Sequence, residues 1–99
     1  MDSRVAKRYA GALFNTAKKA KAVAQVGDDL ASINSSLQTS EKFRQFLLNP
    51  DRSRVDKLSL VAKAFGANSH PLTREFLRIC LEKGREGEIE NVSEQFKEL

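Results

Sequence analysis

Residues Val5–Ala24 read VAKRYAGALFNTAKKAKAVA, and this stretch decides the fold. It holds seven alanines, one glycine, five basic residues and no acid, with Tyr9 and Phe14 five positions apart. Alanine is the strongest helix former, so the segment reads as a helix before any packing is considered. One apolar stripe at helical spacing is Ala6, Ala10, Leu13, Phe14, Ala17 and Ala20, the expected core face. A second, offset stripe is Val5, Tyr9, Ala12 and Thr16. One buried face does not need both. Small side chains make a poor core alone, but they let another helix come close.

Working outward, the punctuation is helical throughout. Ser3 is positioned to cap the first helix, which is expected to run to about Val26 and break at Gly27. Asp28 and Asp29 then place acid at the start of a second helix carrying Leu30, Ile33 and Leu37. Ser40 is the expected cap of a short third helix with Phe43, Phe46 and Leu47. It must end before Pro50, because the residue preceding proline is pushed out of the helical region. Ser53-Arg54-Val55-Asp56 resembles a capping box that opens a fourth helix. Its stripe is Val55, Leu58, Val61, Ala62 and Phe65, closed by Gly66.

Ser69-His70-Pro71 starts a fifth helix, with Pro71 suited to the first turn and Gly84 placed for a left-handed cap at the far end. A sixth helix is expected from about Gly87 to the end, through Ile89, Val92, Phe96 and Leu99. Strand-like alternation is not found. Residues 1–99 are therefore expected to form a single helical domain, an all-α six-helix bundle.

The bulk properties agree. A chain of 99 residues buries roughly 60% or more of its unfolded surface, enough for one core. The net charge of +4 is uneven: residues 1–26 carry six Lys or Arg against one Asp, and residues 71–99 carry five against seven acids. The excess is a local field of the first helix, which weakens a nucleic-acid reading of the whole chain. The single cysteine allows no internal disulfide and fits a reducing compartment. No run is long enough to cross a bilayer. The acid-poor start matches a mitochondrial targeting peptide in charge, but its regular stripe of packing residues reads as a structural helix.

Residue types that carry chemistry are sparse. His70 stands alone beside Pro71 and reads as a cap or an exposed loop residue. Cys80 lies one turn from Phe76 and reads as a small buried hydrophobe. No histidine–cysteine spacing suits a metal, and the isolated glycines form no phosphate-cradling loop. Glu86, Glu88, Glu90 and Glu94 read as acids at the start and on the solvated face of the last helix. Neither a catalytic group nor a cofactor is expected. Lys18, Lys19 and Lys21 support an alternative, a small basic helical RNA-binding domain of the transcription-antitermination type. They fall on the solvent side of the stripe, however, without an aromatic among them for base stacking.

The fifth helix repeats the surplus of the first. Phe76, Leu77, Cys80 and Leu81 make one face, while Leu72 and Ile79 sit beside it with Glu75 and Glu82. Two helices with spare apolar surface can frame a shallow groove for a partner's amphipathic helix.

Arg8-Tyr9-Ala10-Gly11-Ala12-Leu13-Phe14 and Ala17 resemble the RYAxALFxxA opening of the ATP synthase delta subunit family, whose mitochondrial member is the oligomycin-sensitivity-conferring protein. Phe46-Leu47-Leu48-Asn49-Pro50 is similar to that family's FLxNP segment, and Lys57 falls where the family usually has lysine. Glu75-Phe76-Leu77, Leu81, Gly84-Arg85, Ile89, Phe96 and Leu99 follow its later pattern. The likeness runs through essentially the whole chain. Two positions depart from it: Glu75 stands where asparagine is common, and Glu86-Gly87-Glu88 follows Arg85 where leucine is usual.

The resemblance implies a non-catalytic stator component of the rotary synthase. It would bind the N-terminal helix of an alpha subunit in a groove between the first and fifth helices, through Val5, Tyr9, Ala12, Thr16, Leu72, Glu75 and Ile79. Arg4, Arg8, Arg78 and Glu82 would be rim charges that tune rate and register. It further implies that these residues are the N-terminal part of a longer subunit, whose C-terminal domain reaches the peripheral-stalk b subunit. The implied setting is peripheral, on the cytoplasmic face of the bacterial inner membrane, with no nucleic acid, no insertion into the bilayer and a monomeric isolated domain.

Overall fold

A computed structural model describes residues 4–99. The elements are α1 (Arg4–Lys19), α2 (Val23–Thr39), α3 (Glu41–Leu48), α4 (Arg54–Phe65), α5 (Pro71–Glu82), a 3-10 turn (Glu86–Glu88) and α6 (Ile89–Lys97). The fold is an all-α bundle of six helices, and no strand occurs among the described residues. Ser3, expected to cap α1, lies outside them.

The centre of the bundle is where α1 and α2 pack most extensively, against α6. Ala6, Ala10 and Ala17 of α1 are fully buried. Leu30, Ile33 and Leu37 of α2 and Ile89, Val92 and Phe96 of α6 complete the middle of the core. From α5 come Phe76, Leu77, Cys80 and Leu81. Alanine on α1 thus serves close packing inside this chain. Ala12 is exposed on α1, and Ala20, expected on the core face, is exposed because the helix has already ended.

The first boundary differs from expectation. α1 stops at Lys19 rather than near Val26, and Gly27 lies inside α2. The chain reverses at Lys21, whose φ of 56° is left-handed. The Ala22 N–H donates to the Ala17 carbonyl at 2.8 Å and the Lys21 N–H to the Lys18 carbonyl at 3.1 Å. This is the six-to-one bonding of a Schellman end, made at a lysine where glycine is usual. Gly27 sits beside the α6 ring, where an added Cβ would meet Phe96 Cε1 at 3.4 Å, an ordinary van der Waals contact.

With the boundary moved, Asp28 and Asp29 fall in the second turn of α2. Asp29 serves another helix: its Oδ2 accepts from the His70 N–H at 2.8 Å and the Thr73 hydroxyl at 2.7 Å. His70 itself caps α5, with its Nδ1 accepting from the Leu72 N–H at 3.0 Å and Pro71 in the first turn. Nδ1 is therefore the unprotonated ring nitrogen. A carboxylate and an imidazole together secure the start of α5, one wall of the groove described below.

Other boundaries follow the sequence. Ser40 Oγ accepts from the Phe43 N–H and Ser53 Oγ from the Asp56 N–H. Asn49 is extended before Pro50, and its Oδ1 accepts from the Asp51 N–H at 2.9 Å, closing the turn. α5 ends in a second Schellman motif, with Gly84 at φ 67° and the Arg85 N–H donating to the Cys80 carbonyl at 2.7 Å. Gly66 closes α4 in the right-handed region.

Two further expectations are corrected. The inward face of α4 runs through Lys57 and Val61, with Leu58 and Phe65 half-buried. Val55 and Ala62 lie about a quarter turn round from it, and Val55 is 74% exposed. Lys57 can be buried because its Nζ pairs with Glu86 Oε2 at 2.8 Å, tying α4 to the 3-10 turn. Removing either partner would leave the other, largely buried charge without its counter-ion. That turn occupies Glu86–Glu88, so α6 begins at Ile89 rather than Gly87, and it ends at Lys97 with Leu99 exposed.

Candidate functional site

α1 and α5 meet at one edge and leave a trough beside the contact. Tyr9 sets its edge against Phe76 with ring centroids 6.4 Å apart and planes at 69°, a favourable aromatic arrangement. Beyond that contact the small side chain of Ala12 leaves space. The trough has a volume of about 300 Å³ and is lined by Tyr9, Ala12, Leu13, Thr16, Leu72, Glu75, Phe76 and Ile79. Every lining side chain but Glu75, Thr16 and the Tyr9 hydroxyl is wholly apolar. Thr16 Oγ1 donates to the Ala12 carbonyl at 3.0 Å, so that hydroxyl hydrogen is used within α1. Larger depressions of about 540–550 Å³ lie over α3 and between α4 and the 3-10 turn. Charged side chains such as Arg44, Arg52, Arg54 and Glu86 line them, whereas the trough between α1 and α5 has Glu75 as its one charged lining residue.

Tyr9, Ala12, Thr16, Leu72, Glu75 and Ile79 are thus brought together around one concavity. Val5, the remaining residue of that set, is half-buried one turn before Tyr9 and does not line it. The floor, Leu13 and Phe76, escaped the sequence reading because both also belong to the core stripes. A signal was available: Leu13 is four residues from Tyr9, and Phe76 is four from Leu72. Such pairs are neighbours on a helix surface.

The α5 edge is charged and braced. Arg78 donates through Nε to Glu75 Oε2 at 3.1 Å, through Nη2 to Glu75 Oε1, and pairs through Nη1 with Glu82 at 2.7 Å. The hydrogen bonds from Arg78 hold the Glu75 carboxyl below the usual carboxylate range, and Glu75 and Glu82 raise the guanidinium pKa further. All three side chains are close to half exposed, so water and salt screen the cluster.

The remaining residues singled out from the sequence lie elsewhere. Cys80 is fully buried, and burial, followed by the Glu86 carboxylate, pushes its thiol up to about 12, leaving it protonated at neutral pH. No group of three or more His, Cys, Asp or Glu side chains gathers as a metal site among the described residues. Lys18, Lys19 and Lys21 are exposed, and the Lys18 ammonium lies 5.6 Å from the centroid of the half-buried Phe14 ring. Among the described residues no helix is long and apolar enough to cross a membrane.

Comparison with known proteins gives a consistent family. A family model described as ATP synthase delta (OSCP) subunit matches residues 5–99. The cyanelle ATP synthase subunit delta of Cyanophora paradoxa is 32% identical over 97 residues, covering 98% of this chain and 52% of that protein. ATP synthase subunit delta of Lysinibacillus sphaericus is 35% identical over 98 residues, covering 99% and 54%. That of Brevibacillus brevis is 30% identical over 99 residues, covering 100% and 57%. The chain spans about half the length of the curated relatives it matches.

Proposed function

The chain belongs to the ATP synthase delta (OSCP) subunit family, and from that premise we propose that it is a non-catalytic stator piece whose α1–α5 groove seats the N-terminal helix of an alpha subunit. The observation that carries this reading is the groove itself, an apolar concavity on two helices that both have surplus apolar surface. Tyr9 offers a large ring already held against Phe76, with a hydroxyl that can stay wet. Ala12 lets the incoming backbone approach, since helix axes settle roughly 8–10 Å apart only when the contact residues are small enough.

In this role the subunit performs no reaction and needs no cofactor. It ties the catalytic head to the peripheral stalk, so that the head does not turn with the central rotor and proton-driven torque reaches ATP synthesis. Contact with the stalk b subunit falls outside residues 1–99 in this reading. The setting is peripheral, on the cytoplasmic face of the bacterial inner membrane, and the 99-residue chain alone is a monomer.

The test is titration of a synthetic peptide with the alpha subunit's N-terminal sequence against the wild-type chain and Tyr9→Ala. The variant is expected to bind about 2 kcal/mol more weakly, roughly thirtyfold, as interface anchors do. A thermal melt checks that it remains folded. Equal affinities remove Tyr9 from the site, and no binding to either chain rejects the alpha-helix reading. Peptide binding should also survive moderate salt, whereas RNA binding through Lys18, Lys19 and Lys21 would fall steeply.

A further inference from the structure

The apolar floor of the groove cannot tell one direction of a bound helix from the other. A helix turned end for end still presents its apolar stripe downward, but its left and right flanks change places. Only the edges of the groove can read that difference.

The edges differ in sign. On α1, Arg8 lies one turn before Ala12 and Lys19 two turns after it, in the same row of the helix surface, and both are exposed. On α5, Glu75 lines the groove and Glu82 lies two turns further along. Arg78 sits between the two carboxylates and bonds to both, leaving one negative charge in excess on this edge. The bracing also limits the rotamers of Glu75 and Glu82, so less side-chain freedom is lost when a partner's cation arrives.

We propose that these opposed edges fix the direction in which a helix lies in the groove, with the helix's basic flank along α5 and its acidic flank along α1. The occupant is then an amphipathic helix whose apolar stripe is bordered by basic residues on one side and acidic residues on the other. This rests on the reading of the groove as a helix seat and adds the selection of direction to it. Between exposed charges the effect is modest and salt-sensitive, so it appears as a preference between two bound directions.

The experiment uses two designed peptides with one shared apolar stripe, Lys along one flank and Glu along the other, the flanks being exchanged in the second peptide. Each carries a nitroxide at its N-terminus and is added to the isotope-labelled 99-residue chain. Leu72 and Ile79 stand two turns apart on α5, about 10 Å, and their amide signals report the two ends of the groove. The expected result is at least about fivefold stronger broadening at one end, with the favoured end reversing between the peptides. Salt at 0.5 M should weaken the preference, and the Glu75→Lys, Glu82→Lys double variant should abolish the reversal. Broadening at the same end by both peptides, or equally at both ends, overturns the proposal while leaving the helix seat standing. Failure of both peptides to bind overturns the helix seat and this proposal with it.

Discussion

α1 packs against α6 and against α5 in different ways. Toward α6 the contact is closed: the Phe14 and Phe96 rings meet edge to face with centroids 5.4 Å apart, and Gly27 of α2 lies beside the same ring. Toward α5 the contact is closed only at Tyr9 and Phe76, after which Ala12 stands exposed and the trough opens. The same small side chain has opposite effects. Alanine against α6 lets two helices of one chain approach until nothing fits between them. Alanine beside α5, with no described residue above it, leaves room for something else.

Phe96→Ala removes a ring packed by both α1 and α2 and is expected to cost about 3–5 kcal/mol of folding stability, read by chemical denaturation. A loss below about 1 kcal/mol would mean that the α6 seam is not the centre of the bundle. On the open side, Tyr9→Ala should act mainly on peptide affinity, by about 2 kcal/mol. Its stability should fall by clearly less than that of Phe96→Ala, because Tyr9 is only half-buried. If Tyr9→Ala unfolds the chain, Tyr9 belongs to the core and the α5 side of α1 is as closed as the α6 side.

Ala12→Leu sharpens the contrast by filling the open side. An exposed helix position tolerates leucine within about 0.5 kcal/mol of stability, but the added side chain should hold an incoming helix away and weaken the peptide roughly tenfold. Unchanged affinity would place the peptide elsewhere. The smallest effect concerns the two helix ends. Lys21→Gly relieves a left-handed lysine and should raise stability by up to about 1 kcal/mol, while Gly84→Ala should lower it by about as much. Thermal melts of the two variants should shift in opposite directions, and a shared direction would contradict the pairing of these two ends.

Those two ends also show what the sequence could reveal. Gly84 announces a left-handed cap because glycine enters that region freely, and α5 ends there as expected. Lys21 carries no such signal. The turn is imposed by packing of α1 and α2 around α6, so the boundary was expected six residues late, at Gly27. Gly27 carries the opposite signal: glycine reads as a break, yet this one lies inside α2. Lys57 is a similar case: lysine reads as solvated until the fold brings Glu86 to it, and Val55 is correspondingly left outside. The helix count, the caps at Ser40 and Ser53 and the core stripes of α2 and α5 were legible because each is set by spacing within its own segment. The groove was half legible. Surplus apolar positions named its walls, whereas the floor of Leu13 and Phe76 was hidden among core residues.

A helix seated on the open side of α1 would be seen first in the backbone amides that line it. With the isotope-labelled chain and the alpha subunit's N-terminal peptide added to saturation, the largest shift changes should fall on residues 5–16 and 72–82. Changes centred on residues 28–48 of α2 and α3, with the α1 and α5 amides undisturbed, would contradict it.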